Sequence, residues 1–222
     1  MGMATHCILR NTHIFKEAGV KMKTIKCLWL LILFATFSSP LFSASKAEIS
    51  STKTAVIFNT LCAKCHEGEC SGRLSYDTGS STIIRHIKRY AEDTNISKEE
   101  IVEFFGLLNY MKTECALWMP DNGKWDSKNL MSFALPSAKG YFIPLGILKE
   151  GKYHVEIKIK DKILFKVEVF SDYFEHYLHV SVSPDEKEKI LQFTIDRPAN
   201  IFLRIQSKEP LQIIDLEIKK DN

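Results

Sequence analysis

The residues Cys62-Ala63-Lys64-Cys65-His66 are the part of this sequence whose types and spacing point most directly to chemistry. Two cysteines three positions apart on a helix lie on one face, about one turn apart. Both sulfurs can then reach the two vinyl groups of one porphyrin edge, and the histidine that follows can bind the iron. The pattern C-x-x-C-H is that of c-type haem attachment. It predicts one covalent haem at Cys62 and Cys65, with His66 as a metal ligand.

The other cysteines predict a disulfide and also allow a zinc site as an alternative to the haem site. Cys7 and Cys27 lie in the N-terminal segment, which leaves Cys70 and Cys115. Once Cys62 and Cys65 are used for haem, two cysteines remain, and in an oxidising compartment this favours a disulfide between them. The alternative is a zinc site that uses all four cysteines after residue 47. Haem is favoured over zinc because the chain has no second C-x-x-C and because zinc would leave His66 without a role.

The first 47 residues have the pattern of an export signal. Lysines between residues 21 and 26 precede an apolar run at 27–37, and small residues at 45–47 suit a cleavage site. The run is shorter than the about 20 residues of an ordinary membrane span. We therefore expect a signal peptide over 1–47 and a periplasmic or otherwise exported protein. Membrane association is expected only if this segment stays uncleaved as an anchor.

The basic excess of the chain belongs to this N-terminal segment. The net charge is +3, from 30 basic and 27 acidic residues. Removing the six basic and one acidic residues of positions 1–47 leaves 24 and 26, so the remainder is slightly acidic. No basic cluster lies on a predicted element, and nucleic acid is not an expected partner. At 45% hydrophobic and 26% charged residues, the composition is that of a folded globular protein.

The hydrophobic period changes in the middle of the chain. Helical patterns cover 52–65, 81–90, 97–115 and a short segment 127–135, and the second-last of these begins with a capping box at 97–100. After Pro136 the period becomes 2, as in the alternation of residues 153–160, and turn clusters separate six or seven such segments. This predicts an antiparallel β-sandwich of about 80 residues. The expected organisation is a haem domain at 48–136 and a β-sandwich domain at 137–222.

Residues 50–135 resemble a class I c-type cytochrome. In that family a helix carries C-x-x-C-H, a Met-Pro pair later supplies the sixth iron ligand, and a closing helix packs on the first. Met119-Pro120, followed by the segment that Asp126 can cap, has the same order. The resemblance implies that Met119 is the second metal ligand, opposite His66. It also implies the fold class: an all-α cytochrome c-like domain, here followed by an all-β antiparallel sandwich.

The sixth ligand has alternatives because the sequence departs from the family pattern. The segment after Met119 is short, whereas the longer helical pattern at 97–115 precedes it. If that longer helix closes the fold, the ligand lies earlier, and His86 is the candidate between His66 and residue 97. Two further alternatives are Met111 as the sixth ligand and a sixth position without a protein ligand. His176 and His179 are interpreted as ordinary strand residues.

The expected function is electron transfer. Histidine and methionine on opposite sides of the iron suit a one-electron carrier with a raised potential. The protein is then not an enzyme, its partner is a redox protein, and the β-domain serves docking or assembly. Two alternatives belong to other functional classes. One is a haem-based gas sensor or haem enzyme with an open sixth position, and the other is a non-redox binding module of the cell envelope.

Overall fold

The structure, a computed structural model, describes residues 50–67, 80–91, 95–120, 125–183, 185 and 188–221. The predicted signal peptide at 1–47 and the cysteines Cys7, Cys27 and Cys70 lie outside these ranges. Residues Ala44–Asn222 form one compact unit. Within the described ranges, no helix has the length and hydrophobicity needed to cross a membrane.

The chain enters the fold through a helical segment that carries the C-x-x-C-H residues. Its parts are α1 (Thr52–Ile57), a π-helical turn (Phe58–Cys62, hereafter the π turn) and α2 (Ala63–His66). Ser51 caps α1, since its hydroxyl accepts a hydrogen bond from the backbone N–H of Thr54. The last four residues of α1 are buried, so this short helix depends on packing more than on its own hydrogen bonds.

Two longer helices follow, α3 (Ser80–Tyr90) and α4 (Lys98–Glu114). The predicted capping box is confirmed: the Ser97 hydroxyl accepts from the Glu100 N–H, and the Glu100 carboxylate accepts from the Ser97 N–H. Cys115 caps the C-terminus of α4 and has a left-handed backbone with φ of 51°. The predicted helix at 127–135 is only a 3₁₀ turn at Leu130–Phe133.

Seven antiparallel strands occupy the rest of the chain. They are β1 (Gly140–Leu148), β2 (Gly151–Ile159), β3 (Phe165–Ser171), β4 (His176–Val182), β5 (Glu188–Ile195), β6 (Ala199–Ser207) and β7 (Ile213–Lys220). One sheet has four strands in the order β1-β6-β3-β4, and the other has three in the order β5-β2-β7.

The two central strands of the four-stranded sheet are buried on both faces. All five residues 201–205 of β6 are buried, and so are 167–171 of β3. Side chains alternate between the faces of a strand, so one half of these residues must be covered by something other than the second sheet. The cover is the helical segment: the side chains of Arg204 and Gln206 donate hydrogen bonds to carbonyl oxygens of the π turn.

The predicted fold class, an all-α cytochrome c-like domain followed by an all-β sandwich, is wrong. The chain is mostly β, and its helices do not enclose a core of their own. Buried residues of α1 and α4 belong to the same hydrophobic cluster as those of both sheets. The helical period identified which side of each helix is apolar, but period alone does not say whether that side packs on another helix or on a sheet. The predicted boundary at 136/137 falls between the 3₁₀ turn and β1.

Candidate functional site

The C-x-x-C-H residues lie where the π turn passes into α2. Cys62 ends the π turn and caps α2, while Cys65 and His66 are the last two residues of α2. Both cysteines are free thiols; Cys62 is half-buried, Cys65 is exposed and His66 is buried. The N–H of Ala63 donates to the carbonyl of Phe58, the five-residue spacing that defines a π-helix. Such single π turns inside α-helices occur often at functional sites.

The environment of Cys62 does not suit thiolate chemistry. Burial, followed by the nearby Cys65, raises the pKa of the Cys62 thiol to about 12. The thiolate is the form that exchanges with disulfides and binds metal ions, and a thiol with this pKa stays protonated at neutral pH. Cys62 is therefore poorly suited to act as the attacking thiolate in dithiol exchange.

The zinc alternative loses one of its four ligands. Cys115 is disulfide-bonded and has no thiolate to donate. In the described part of the chain, no group of three or more histidine, cysteine or acidic side chains is arranged to hold a metal ion. The predicted partner of Cys115 is Cys70, which lies outside the described residues, so that pairing stays a prediction.

A second histidine, His86, lies beside His66, and the distance between the two ring centres matches that of two imidazoles bound to one metal ion. The ring centres of His66 and His86 are 6.3 Å apart, and the ring planes are inclined by 75°. A metal–imidazole bond is about 2 Å long and its nitrogen lies about 1 Å from the ring centre. Two imidazoles on opposite sides of one ion therefore have centres about 6 Å apart. His86 lies on α3, and Tyr90 packs against it with ring centres 4.8 Å apart.

The two methionine candidates lie in the hydrophobic core. Met111 is 1% exposed on the inner side of α4, which is the usual position of a methionine that fills space. Met119 is also buried, and the preceding residue Trp118 accepts a hydrogen bond of 3.0 Å from the Asn59 amide in the π turn. The segment of Met119 is thus tied to the helix of the C-x-x-C-H residues, and its role as a ligand stays a prediction.

A buried charge network, which the sequence patterns did not predict, lies beneath this helix. Arg204 on β6 and Glu168 on β3 are cross-strand partners whose side chains are 1% and 3% exposed. The Arg204 guanidinium donates to Glu168 through Nε and to Glu67 through both terminal nitrogens, at 3.0 Å each. It also donates to the carbonyl of Asn59 at 3.3 Å. Glu67 directly follows His66, so Arg204 holds the helix on both sides of the C-x-x-C-H residues.

Further groups complete the network. Lys64, inside the motif, is 3.1 Å from the Glu168 carboxylate. His179 on β4 lies 3.6 Å from the same carboxylate, and His176 lies 3.9 Å from Glu67. The interpretation of both histidines as ordinary strand residues missed these contacts. The contact of His176 joins residues more than 100 positions apart, and that of His179 joins facing residues of the neighbouring strands β3 and β4.

The carboxyl group of Glu168 is ionised at neutral pH despite its burial. Burial raises its pKa, but the charge and hydrogen bonds of Arg204 and Lys64 outweigh burial and hold the pKa below the ordinary 4.5. A lowered pKa in the folded state means that Glu168 stabilises the fold at pH values above 4.5 and loses this effect as pH falls through its folded pKa.

This gives a prediction for acid unfolding. We expect the Glu168→Gln variant to be less stable than wild type at pH 7 and the difference to shrink steadily below pH 4.5. The measurement is the free energy of unfolding by urea from pH 7 to pH 3 for both proteins. Subtracting one free energy of unfolding from the other removes the pH dependence of the other acidic groups, because both proteins share them. A difference that stays constant over this range would mean that Glu168 has no lowered pKa.

No protein-family model and no curated protein matches this chain. A function therefore has to be inferred from the chemistry of the donor groups. Two free thiols and His66 lie on one helical segment, and the ring centres of His66 and His86 are 6.3 Å apart. This donor set fits a covalently attached haem, which needs two thioether positions and one or two axial ligands.

Proposed function

We propose that this protein is an exported one-electron carrier with a single haem c, attached at Cys62 and Cys65 and bound by His66 and His86. The observation that carries the proposal is the 6.3 Å separation of the two imidazole centres beside two free thiols. A haem held by two histidines supplies reversible one-electron chemistry at its iron. In this proposal His86 takes the place that the family resemblance gives to Met119.

The surrounding residues support this role by holding the ligands still. Arg204 binds Glu67, the residue after His66, and Lys64 is paired with Glu168 on the sheet. Groups next to a metal ligand fix its orientation and tune its strength. The helix that carries three of the four haem-binding residues is thereby fastened to the central strands of a sheet. Little movement of His66 is expected when the charge of the site changes by one electron.

The proposal has consequences for potential, partner and compartment. Methionine ligation raises the potential of a cytochrome, so two histidines predict a lower value than the family resemblance implies. A carrier needs a redox partner protein, and no enzymatic reaction is required of the chain itself. Export by the predicted signal segment at 1–47 brings the cysteines to an oxidising compartment, where the disulfide of Cys115 is stable.

The first test removes the proposed distal ligand. We expect the His86→Ala variant to keep covalent haem but to become high-spin and to bind carbon monoxide when reduced, because the sixth position opens. The wild type is expected to be low-spin in both states, without the long-wavelength sulfur-to-iron charge-transfer band. The measurement is the absorption spectrum of the variant and the wild type in both oxidation states, with and without carbon monoxide.

Two conservative variants serve as controls for this test. Met119→Leu and Met111→Leu keep an apolar side chain of similar size in the core, and both are expected to stay low-spin. A high-spin Met119→Leu protein beside a low-spin His86→Ala protein would make Met119 the ligand and contradict the bis-histidine proposal. A wild-type protein that itself binds carbon monoxide would contradict the carrier and favour the gas sensor.

A further inference from the structure

A cavity of about 450 Å³ opens at one end of the four-stranded sheet, and it is hereafter the end pocket. Its floor and sides come from residues at or beside the starts of β1 and β3 and the ends of β4 and β6. The π turn and the last turn of α3 close it from the helical side through Leu61 and Tyr90. Its volume is within the range of small-molecule sites.

The lining of the end pocket combines an apolar part with a positive one. Leu61, Tyr90, Leu135, Leu164 and Phe165 form the apolar part. The cationic side chains are Arg89, Lys139, Lys166 and Lys208, and no described lining residue is acidic.

These cations come from four separate elements of the fold. Arg89 lies in the last turn of α3, Lys139 directly precedes β1, Lys166 is the second residue of β3 and Lys208 directly follows β6. Among the described residues, Arg89, Lys166 and Lys208 form no ion pair with the protein. Like charges gathered around one cavity repel each other, and an anion between them removes that repulsion. The fold thus leaves an unbalanced positive charge at a concave apolar site.

We propose that the end pocket binds a carboxylate together with an adjoining apolar part that fills about the space of one or two aromatic rings. The apolar part of the ligand would pack against Leu61, Leu135 and Phe165, and the carboxylate would take hydrogen bonds from the lysines at the rim. Charge-assisted hydrogen bonds from ammonium groups to a carboxylate are stronger than neutral ones. The apolar lining selects against simple inorganic anions, and the cations select against neutral aromatic compounds.

Two sources of this chemistry lie within reach. One is a free organic acid from solution. The other is the carboxylate edge of the haem proposed above, because Leu61 directly precedes Cys62 and Tyr90 contacts His86. The second source rests on the proposed function, whereas the first does not.

The test is a calorimetric titration of the full chain with 2-naphthoate, and with 2-naphthylmethanol as the uncharged analogue. We expect the Lys166→Gln/Lys208→Gln variant to bind 2-naphthoate about tenfold more weakly, with the neutral analogue unaffected. The matched control is Lys158→Gln/Lys160→Gln, which removes the same charge from exposed positions at and just after the end of β2 in the other sheet. That variant is expected to bind 2-naphthoate as the wild type does.

The same titration on the Cys62→Ser/Cys65→Ser protein, which cannot attach haem, separates the sources. Binding by both the wild type and this variant supports a site for a free acid. Binding by the haem-free variant alone, beside a wild type that carries haem, supports occupation by the haem carboxylates. The proposal is overturned if neither protein binds 2-naphthoate, or if the loss of Lys166 and Lys208 leaves its affinity unchanged. If the wild type carries no haem, the proposed function fails while this test still applies.

Discussion

The Arg204→Leu variant is expected to lose about 3–5 kcal/mol of folding free energy, because it leaves a buried charge without its partner. Arg204 is 1% exposed, and Glu168 beside it is 3% exposed. Without the guanidinium, the partners that Glu168 keeps among the described residues are Lys64 and His179, both of which are more than one third exposed. Urea unfolding at pH 7, analysed for midpoint and slope, measures the loss.

A surface ion pair of the same chemistry provides the control. Arg197 pairs with Glu175 at 3.0 Å, but the Arg197 side chain is 73% exposed. Solvent screens such a pair, and Arg197→Leu is expected to leave the stability nearly unchanged. If Arg204→Leu destabilises the protein no more than Arg197→Leu does, the buried network does not hold the fold together.

A double substitution distinguishes the loss of an ion pair from the loss of packing. Replacing a buried pair with apolar residues of similar volume often costs little, since no charge is left unpaired. We expect Arg204→Leu/Glu168→Leu to recover a substantial part of the stability that Arg204→Leu loses. The recovery is incomplete because Glu67 and the carbonyl of Asn59 still lack their donor. If the double variant is as unstable as the sum of the single variants, the two side chains do not act as a pair.

The Cys62→Ser/Cys65→Ser variant is expected to lose all covalently attached haem. Both thioether bonds disappear, and only coordination by imidazole remains, which acid extraction breaks. The measurement is haem absorption of the polypeptide after acidified organic extraction, which removes haem that is not covalently bound. Each single variant retains one attachment position and is expected to keep less haem than the wild type.

Cys115→Ser is the matched control for this loss. It removes a cysteine of the same chain but leaves Cys62, Cys65 and His66 in place. It breaks a disulfide, so we expect lower stability together with haem that is still covalently attached. Covalent haem on the Cys62→Ser/Cys65→Ser protein would place the attachment site elsewhere and refute the assignment.

Local patterns in this sequence predicted local structure well. The alternation of apolar residues from Tyr153 to Ile159 corresponds to the buried side of β2, and the capping box at Ser97 begins α4 as expected. Both features depend on residues that are close together in the sequence, and hydrophobic periodicity and helix capping involve only such residues. The C-x-x-C-H residues lie on a helical segment as expected, and haem attachment at them stays a prediction.

What the sequence did not reveal depends on distant parts of the chain. Glu168 follows an alternation with Lys166 that is typical of a solvent-facing side, yet a helix more than 100 residues earlier covers it. Its partner Arg204 is 36 residues away, and nothing in the local pattern of β6 marks it as buried. The fold class was wrong for the same reason, since the helices pack on a sheet formed by later residues.

The most direct test of the central claim is the intact mass of the exported wild-type chain, purified under denaturing conditions after expression with a haem-attachment system. The proposal predicts a polypeptide that carries one haem, lost when Cys62 and Cys65 are both replaced. A polypeptide without haem, in which Cys62 and Cys65 are free thiols or are joined to each other, would contradict it.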